Sequence, residues 1–286
     1  MSGYKKKLRP AVIRSIDHVI ALVDALPPPI DFSCGSAGND PDPRVRAFFI
    51  SLGEMRKLLA SDRNLSEFLK GPGKETSRII AMLAMEKQES RTVGAELSGD
   101  IVIQDVPKVT VTFDVHRLVD PTENEEETRR SLKRRAFDHL LSLALRRITL
   151  VKWEREDLSR HRSLLQAKFN MLEREGWGFN QAESTGSPDI ARMEEQLGQI
   201  ESQLMELGGD DRMLEKYLEI LIDVLNRPEE NLWAKPETIF VTRMGIKRSE
   251  AADDTTELNL NVLYNAEGRS LVATLVALSG EELQGA

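Results

Sequence analysis

The sequence predicts an α+β protein. The expected parts are a mostly antiparallel sheet split in sequence, an inserted long antiparallel coiled-coil hairpin and an N-terminal helical region. Three observations carry this. Apolar residues recur at three- and four-residue spacing from Leu8 to Leu26. Period-two alternation runs through Val109 to Val119 and returns from about Glu237 onward. Between these strand groups roughly 55 residues pass without a helix breaker, with apolar residues at heptad spacing. The expected boundaries are 1–73 for the N-terminal region, 74–120 with 236–286 for the sheet, and 121–228 for the arm.

In the first element Leu8, Val12, Ile16, Val19, Val23 and Leu26 form one helix face. Pro27, Pro28 and Pro29 end it, because proline cannot donate to the preceding turn and restrains its neighbour. A loop follows, then a helical segment from about Arg44 to Leu59 and a short one around Leu65 to Leu69. From Ile79 the chain reads as strands. Val109, Val111, Phe113 and Val115 are expected on one face, with Thr110, Thr112, Asp114 and His116 on a wet face. Ile101 to Ile103 is read as a separate strand, with Pro107 in the connecting turn.

Asp120 is expected to cap the long helix, with Pro121 in its first turn. Uninterrupted to Gly176, that helix would measure about 80 Å at 1.5 Å per residue. Phe137, Ala144, Val151, Leu158, Leu165 and Leu172 fall every seven residues. Leu141, Ile148 and Phe169 fill alternate positions, as do Arg155 and Arg162. After a loop, Ile190, Met193, Leu197, Ile200, Leu204 and Leu207 repeat the pattern up to Gly208-Gly209, and Asp211 is expected to cap a continuation. Folding the chain about the loop sets Arg162 level with Glu201 and Arg155 with Glu206, which would offset the cost of arginines in the seam. Phe240, Thr242, Met244 and Ile246 are then read as one alternating strand. Leu258, Leu260, Val262 and Tyr264 are read as another, turning through Asn265 to Gly268 into Leu271 to Leu278.

Composition narrows the function classes. With 40% apolar and 30% charged residues the 286-residue chain is neither collagen-like nor disordered. Cys34 is the single cysteine, so no internal disulfide forms, which fits a reducing compartment. Lys5, Lys6, Lys7 and Arg9 precede an apolar stretch, but Asp17, His18 and Asp24 interrupt it, so an amphipathic helix is expected rather than a signal peptide. No run approaches the roughly 20 apolar residues of a membrane span. The expectation is a soluble, cytoplasmic protein. The net charge of −8 argues against nucleic acid as a partner.

The chemical motifs do not hold. Gly71-Pro72-Gly73-Lys74 resembles the end of a phosphate loop, but Phe68 stands where that loop needs glycine. Cys34 replaces the first glycine of a nucleophile elbow ahead of Ser36, and no local base serves it. His18, His116, His139 and His161 are dispersed and lack zinc-ligand spacing. The acids Glu125 and Glu126 precede Arg129 and Arg130 by four residues, the order of self-paired helix charges. No catalytic, cofactor-binding or metal-binding set is therefore expected.

The expected function is a non-enzymatic protein–protein interaction or scaffold role for the arm. The partner is another protein, including a second copy, and Trp177 and Phe179 are the candidate contacts at the arm tip. The alternative is a small-molecule-binding protein or enzyme using Thr110, Thr112, Asp114 and His116. A third class is peripheral membrane or nucleic-acid binding through Lys5 to Arg9 and the 129–135 cluster.

Overall fold

The computed structural model describes residues 2–32, 42–49, 51–74, 76–98, 101–175, 188–208 and 212–280. The helices are α1 (Ser2–Asp24), α2 (Pro43–Phe48), α3 (Leu52–Ser61), α4 (Arg63–Lys70), α5 (Glu125–Glu175), α6 (Pro188–Glu206), α7 (Met213–Asn226) and α8 (Pro228–Asn231). The strands are β1 (Ile30–Asp31), β2 (Arg78–Ser98), β3 (Ile101–Thr122), β4 (Leu232–Thr242), β5 (Ile246–Arg248), β6 (Thr255–Asn265) and β7 (Ser270–Ser279). The chain divides into two compact units, Met1–Ser15 with Asp138–Arg227, and Ile16–Phe137 with Pro228–Ala286.

The second unit holds the sheet, in the order β1-β7-β2-β3-β5-β4-β6. β6 also pairs with β7, so six strands close on themselves as a small barrel and β1 joins β7 in parallel. Every other pairing is antiparallel. Ile79, Ala81, Leu83 and Met85 of β2 face inward with Val111, Phe113, Ile239, Val241, Leu258, Leu260 and Val262. On the outer face Met82, Ala84 and Leu275 meet Val23 and Leu26 of α1 and Leu132 of α5. β2 and β7 are thus covered on both faces, which explains their near-continuous apolar runs. Each such buried aliphatic side chain contributes roughly 1.5–3 kcal/mol.

Three β-bulges shape the barrel. The β2–β3 register slips by one residue at three places, and β3 carries the extra residue each time. Asp105, Val115 and Asp120 sit in these bulges with φ of 62°, 54° and 49°. A bulge adds twist and inverts the in-out alternation beyond it. Asp120 therefore lies inside β3, in its last bulge, and pairs with Arg135 at 2.6 Å; it does not cap α5. Asn124 does, its Oδ1 accepting from the Glu127 amide at 2.9 Å. Pro107 is likewise within β3, opposite Val93, not in a turn. Val111, in phase with it, donates its amide away from β2 to the Gly245 carbonyl, so the missing proline N–H costs no bond to β2.

The strand expected from Phe240 to Ile246 is two strands. β4 stops at Thr242 and the chain turns through Gly245, whose φ of 74° suits glycine. Ile239 and Val241 are the core residues of β4, not Phe240 and Thr242. Residues Asn265 to Gly268 do form the β6–β7 turn, with Asn265 Oδ1 accepting from the Glu267 and Arg269 amides.

Helices close the barrel's surroundings. Phe48 of α2, Met55 and Leu59 of α3 and Leu65 of α4 join the inner core. Asp62 caps α4 through Oδ1 to the Leu65 amide (2.9 Å) and accepts from the Leu118 amide through Oδ2 (3.0 Å). Asn64 donates to the Leu118 carbonyl at 2.6 Å. The two side chains thus stand in for a neighbouring strand at an edge of β3. Arg129 pairs with Glu125 and donates to the carbonyls of Val23 and Leu26, closing the end of α1. Thr128, fully buried, donates to the Ile80 carbonyl.

In the first unit, Leu143 and Ala144 of α5 cluster with Val224 and Leu221 of α7. Arg147 pairs with Asp223 at 3.6 Å, and Ser15 donates to the Leu225 carbonyl at 2.7 Å. The heptad positions Leu141, Ile148, Val151, Arg155, Leu158, Leu165 and Phe169 are half-buried, whereas Arg162 is exposed. On α6 Met193 and Ile200 are buried. The side chains of Leu172 and Ile190, and all of Gly209 and Asp211, lie outside the described residues. No described helix is long and apolar enough to cross a membrane.

Candidate functional site

The four sheet residues do not form one face. The bulge at Val115 inverts β3, leaving Val115 47% exposed while Leu118 turns fully inward. His116 follows that inversion. Its ring stacks on Phe49 with centroids 4.5 Å apart, and Nε2 lies 2.8 Å from the Phe48 carbonyl. A carbonyl only accepts, so Nε2 carries the hydrogen and the imidazole is committed to holding α2. The expected carboxylate–imidazole pair of Asp114 and His116 is therefore corrected by the bulge, which periodicity could not reveal. Thr110 shares a hydrogen bond with Thr92 at 3.3 Å on the exposed side.

Thr112 and Asp114 do line a cleft. It has a volume of ≈ 1280 Å³ and lies between α2, β3, the β4–β5 turn and the start of β6. Its walls combine the apolar Phe48, Phe113 and Met244 with charges of both signs, among them Arg243 and Asp254. Among the described residues no cluster of His, Cys, Asp or Glu is arranged to hold a metal ion.

A four-charge cluster lies on the inner side of the barrel wall. Lys87 Nζ sits 2.6 Å from Glu237 and 3.0 Å from Glu89, and Lys247 Nζ sits 2.8 Å from Glu89 and 3.7 Å from Glu237. Signs alternate around the group. The hydrogen bond from Lys247, followed by that from Lys87, outweighs burial and lowers the Glu89 carboxyl below its ordinary range. Burial works against the Lys87 charge, yet hydrogen bonds to Glu237 and Glu89 overcome it and raise that ammonium. Both shifts favour the charged forms of Lys87 and Glu89, and the ion pairs they make tie β2 to β4 and β5.

Trp177 and Phe179, the expected tip contacts, lie outside the described residues. Helix α5 carries another feature. Leu150, Trp153, Leu164 and Met171 of α5 are between 64% and 67% exposed. They lie along one side of α5, opposite the half-buried heptad positions, as their helical spacing dictates. Trp153 is the most exposed of the four. The stripe was readable as a second heptad, Leu150, Asp157, Leu164, Met171 with Trp153, Arg160, Ala167, but its charged members mask it. Trp233 does pack, stacked on Tyr264 with centroids 5.7 Å apart.

No protein-family model, curated protein or solved structure matches this chain.

Proposed function

We propose that the chain is a non-enzymatic interaction or scaffold protein, in which the helices between the strand groups form an antiparallel coiled-coil arm and the arm meets another protein. The observation that supports this is the exposed stripe of α5. Single exposed apolar residues are ordinary, but Leu150, Trp153, Leu164 and Met171 align along one helix side. The half-buried positions Val151, Leu158, Leu165 and Phe169 on the other side suit pairing with α6, which buries Met193 and Ile200. In that register Arg155 comes level with Glu206 and Arg162 with Glu201. Trp177 and Phe179 belong to the same proposal as contacts at the tip.

The test is quantitative affinity capture with the intact chain, with Trp153→Glu/Leu164→Glu, and with Trp177→Ser/Phe179→Ser. Helix content and thermal unfolding are recorded for each. At least one double variant is expected to lose a captured protein while unfolding at the unchanged temperature. Full capture by both variants rejects the interaction role of these residues.

The cleft supports a second reading, a small-molecule site using Thr112 and Asp114. Its lining brings polar and charged residues of α2, β3 and the β4–β5 turn alongside apolar ones. A thermal-shift screen would return compounds whose stabilisation vanishes in Asp114→Asn. A screen in which every stabilising compound acts equally on that variant counts against the site.

A further inference from the structure

We infer that the exposed stripe of α5 pairs with the same stripe of a second copy of this chain, antiparallel, about a twofold axis level with the Leu158–Ser159 peptide. The inference rests on the interaction reading above and names its partner.

The pattern of the stripe carries it. Leu150, Asp157, Leu164 and Met171 are spaced by seven, and so are Trp153, Arg160 and Ala167, each three residues after one of the first set. Seven residues fall about 20° short of two full helix turns, so these positions stay on one side over three heptads. Side by side in opposite directions, two such helices form layers that mix the two sets. Leu150 then meets Ala167 of the other copy, and Trp153 meets Leu164. At the centre Asp157 meets Arg160, and by symmetry Arg160 meets Asp157. At the periphery Met171 meets Arg146; the layers inside it are apolar, and the two central ones join opposite charges. One surface complements itself, which is the requirement of a twofold interface.

Charge also fixes the direction. Parallel pairing would oppose Asp157 to Asp157 and Arg160 to Arg160, placing like charges in two successive layers. The antiparallel arrangement replaces both repulsions with attractions. A shift by one heptad would set the central charges against apolar residues, so the same pair fixes the register. Asp157 and Arg160 are both exposed, and no ion pair ties either of them to a described residue. Glu156, beside the stripe, is engaged by Lys152 at 3.8 Å and is not needed for the pairing.

The test is sedimentation of the full chain over a concentration series. The intact chain is expected to pass from monomer to dimer. Asp157→Arg and Arg160→Asp are each expected to raise the dimer dissociation constant about tenfold or more, because each turns two attractive layers repulsive. An equimolar mixture of the two variants is expected to dimerise again, since every central layer then joins opposite charges. Trp153→Glu is expected to abolish the dimer. Unchanged helix content and unfolding temperature exclude misfolding as the cause. A chain that stays monomeric throughout overturns the inference, and so does a dimer indifferent to both charge reversals. A monomeric chain that still captures another protein through Trp153 leaves the interaction reading standing. A monomeric chain with no stripe-dependent capture removes the stripe from both.

Discussion

Asp62 performs two tasks with one carboxylate, and its replacement by alanine separates them from ordinary surface mutation. Oδ1 caps α4 at the Leu65 amide and Oδ2 accepts from the Leu118 amide of β3. Losing a cap costs about 0.5–2 kcal/mol. Leaving a buried amide unsatisfied costs about 1–3 kcal/mol, and Leu118 is fully buried. Water reaching the vacated site lowers the second figure, so Asp62→Ala is expected to cost roughly 2–4 kcal/mol. Asp62→Asn keeps one acceptor oxygen and should lose about half as much. Because the chain has two units, a single unfolding midpoint is an insufficient readout. Amide hydrogen exchange at Leu65 and Leu118 reports each task directly. Both amides should lose protection in the alanine variant, while Ile239, across the barrel, keeps its protection up to the new global limit. Retained protection at Leu118, or a cost under about 0.5 kcal/mol, would refute the strand-substitute role.

Two further expectations follow from the barrel. The Glu89 carboxyl is lowered on folding, so its contribution is present above the ordinary glutamate range and is lost as pH falls through the depressed value. Lys87 is raised, so its share is present below the ordinary lysine range and disappears as pH climbs through the raised value. Glu89→Gln should therefore be the weaker protein between about pH 5 and 10 and converge with the parent in acid, as urea midpoints across pH would show. A constant gap between pH 3 and pH 7 would exclude this linkage. Val115 is a β-branched residue at φ 54°, a conformation that favours glycine. Val115→Gly is expected to be neutral or stabilising by ~1 kcal/mol, whereas Thr112→Gly, in regular strand, should lose ~1 kcal/mol. Equal losses at both sites would mean that the bulge carries no strain.

Mixed helix and sheet content was readable where one kind of periodicity ruled a segment. Leu258, Leu260 and Val262 alternate in the sequence and are buried, because β6 has one wet side. β2 was harder to delimit, since Ile79 through Met85 is apolar throughout and is covered on both faces. The bulges were invisible. No glycine marks Val115 or Asp120, and the left-handed backbone there depends on tertiary context that a single sequence does not display. That one omission misplaced both His116 and the start of α5. The cleft was legible only through Thr112 and Asp114, because its other walls come from the distant segments around Val45 and Gly245. The stripe on α5 was present in the letters but obscured by Asp157 and Arg160, which interrupt its apolar run.

The barrel's circumference is unevenly knitted. β2 and β3 match over most of their length, while β5 touches β3 and β4 through two residue pairs each. Spontaneous breathing will begin at that thin join, since so few backbone bonds must break there. The ammonium of Lys87 and the carboxylate of Glu89 reach from β2 across β3 to β4 and β5, acting as a clasp over the place most prone to part. Because the Glu89 carboxyl is held below its ordinary range, the clasp keeps its charge in acid that already neutralises an ordinary glutamate, and the weakest join of the wall carries its most acid-resistant tie.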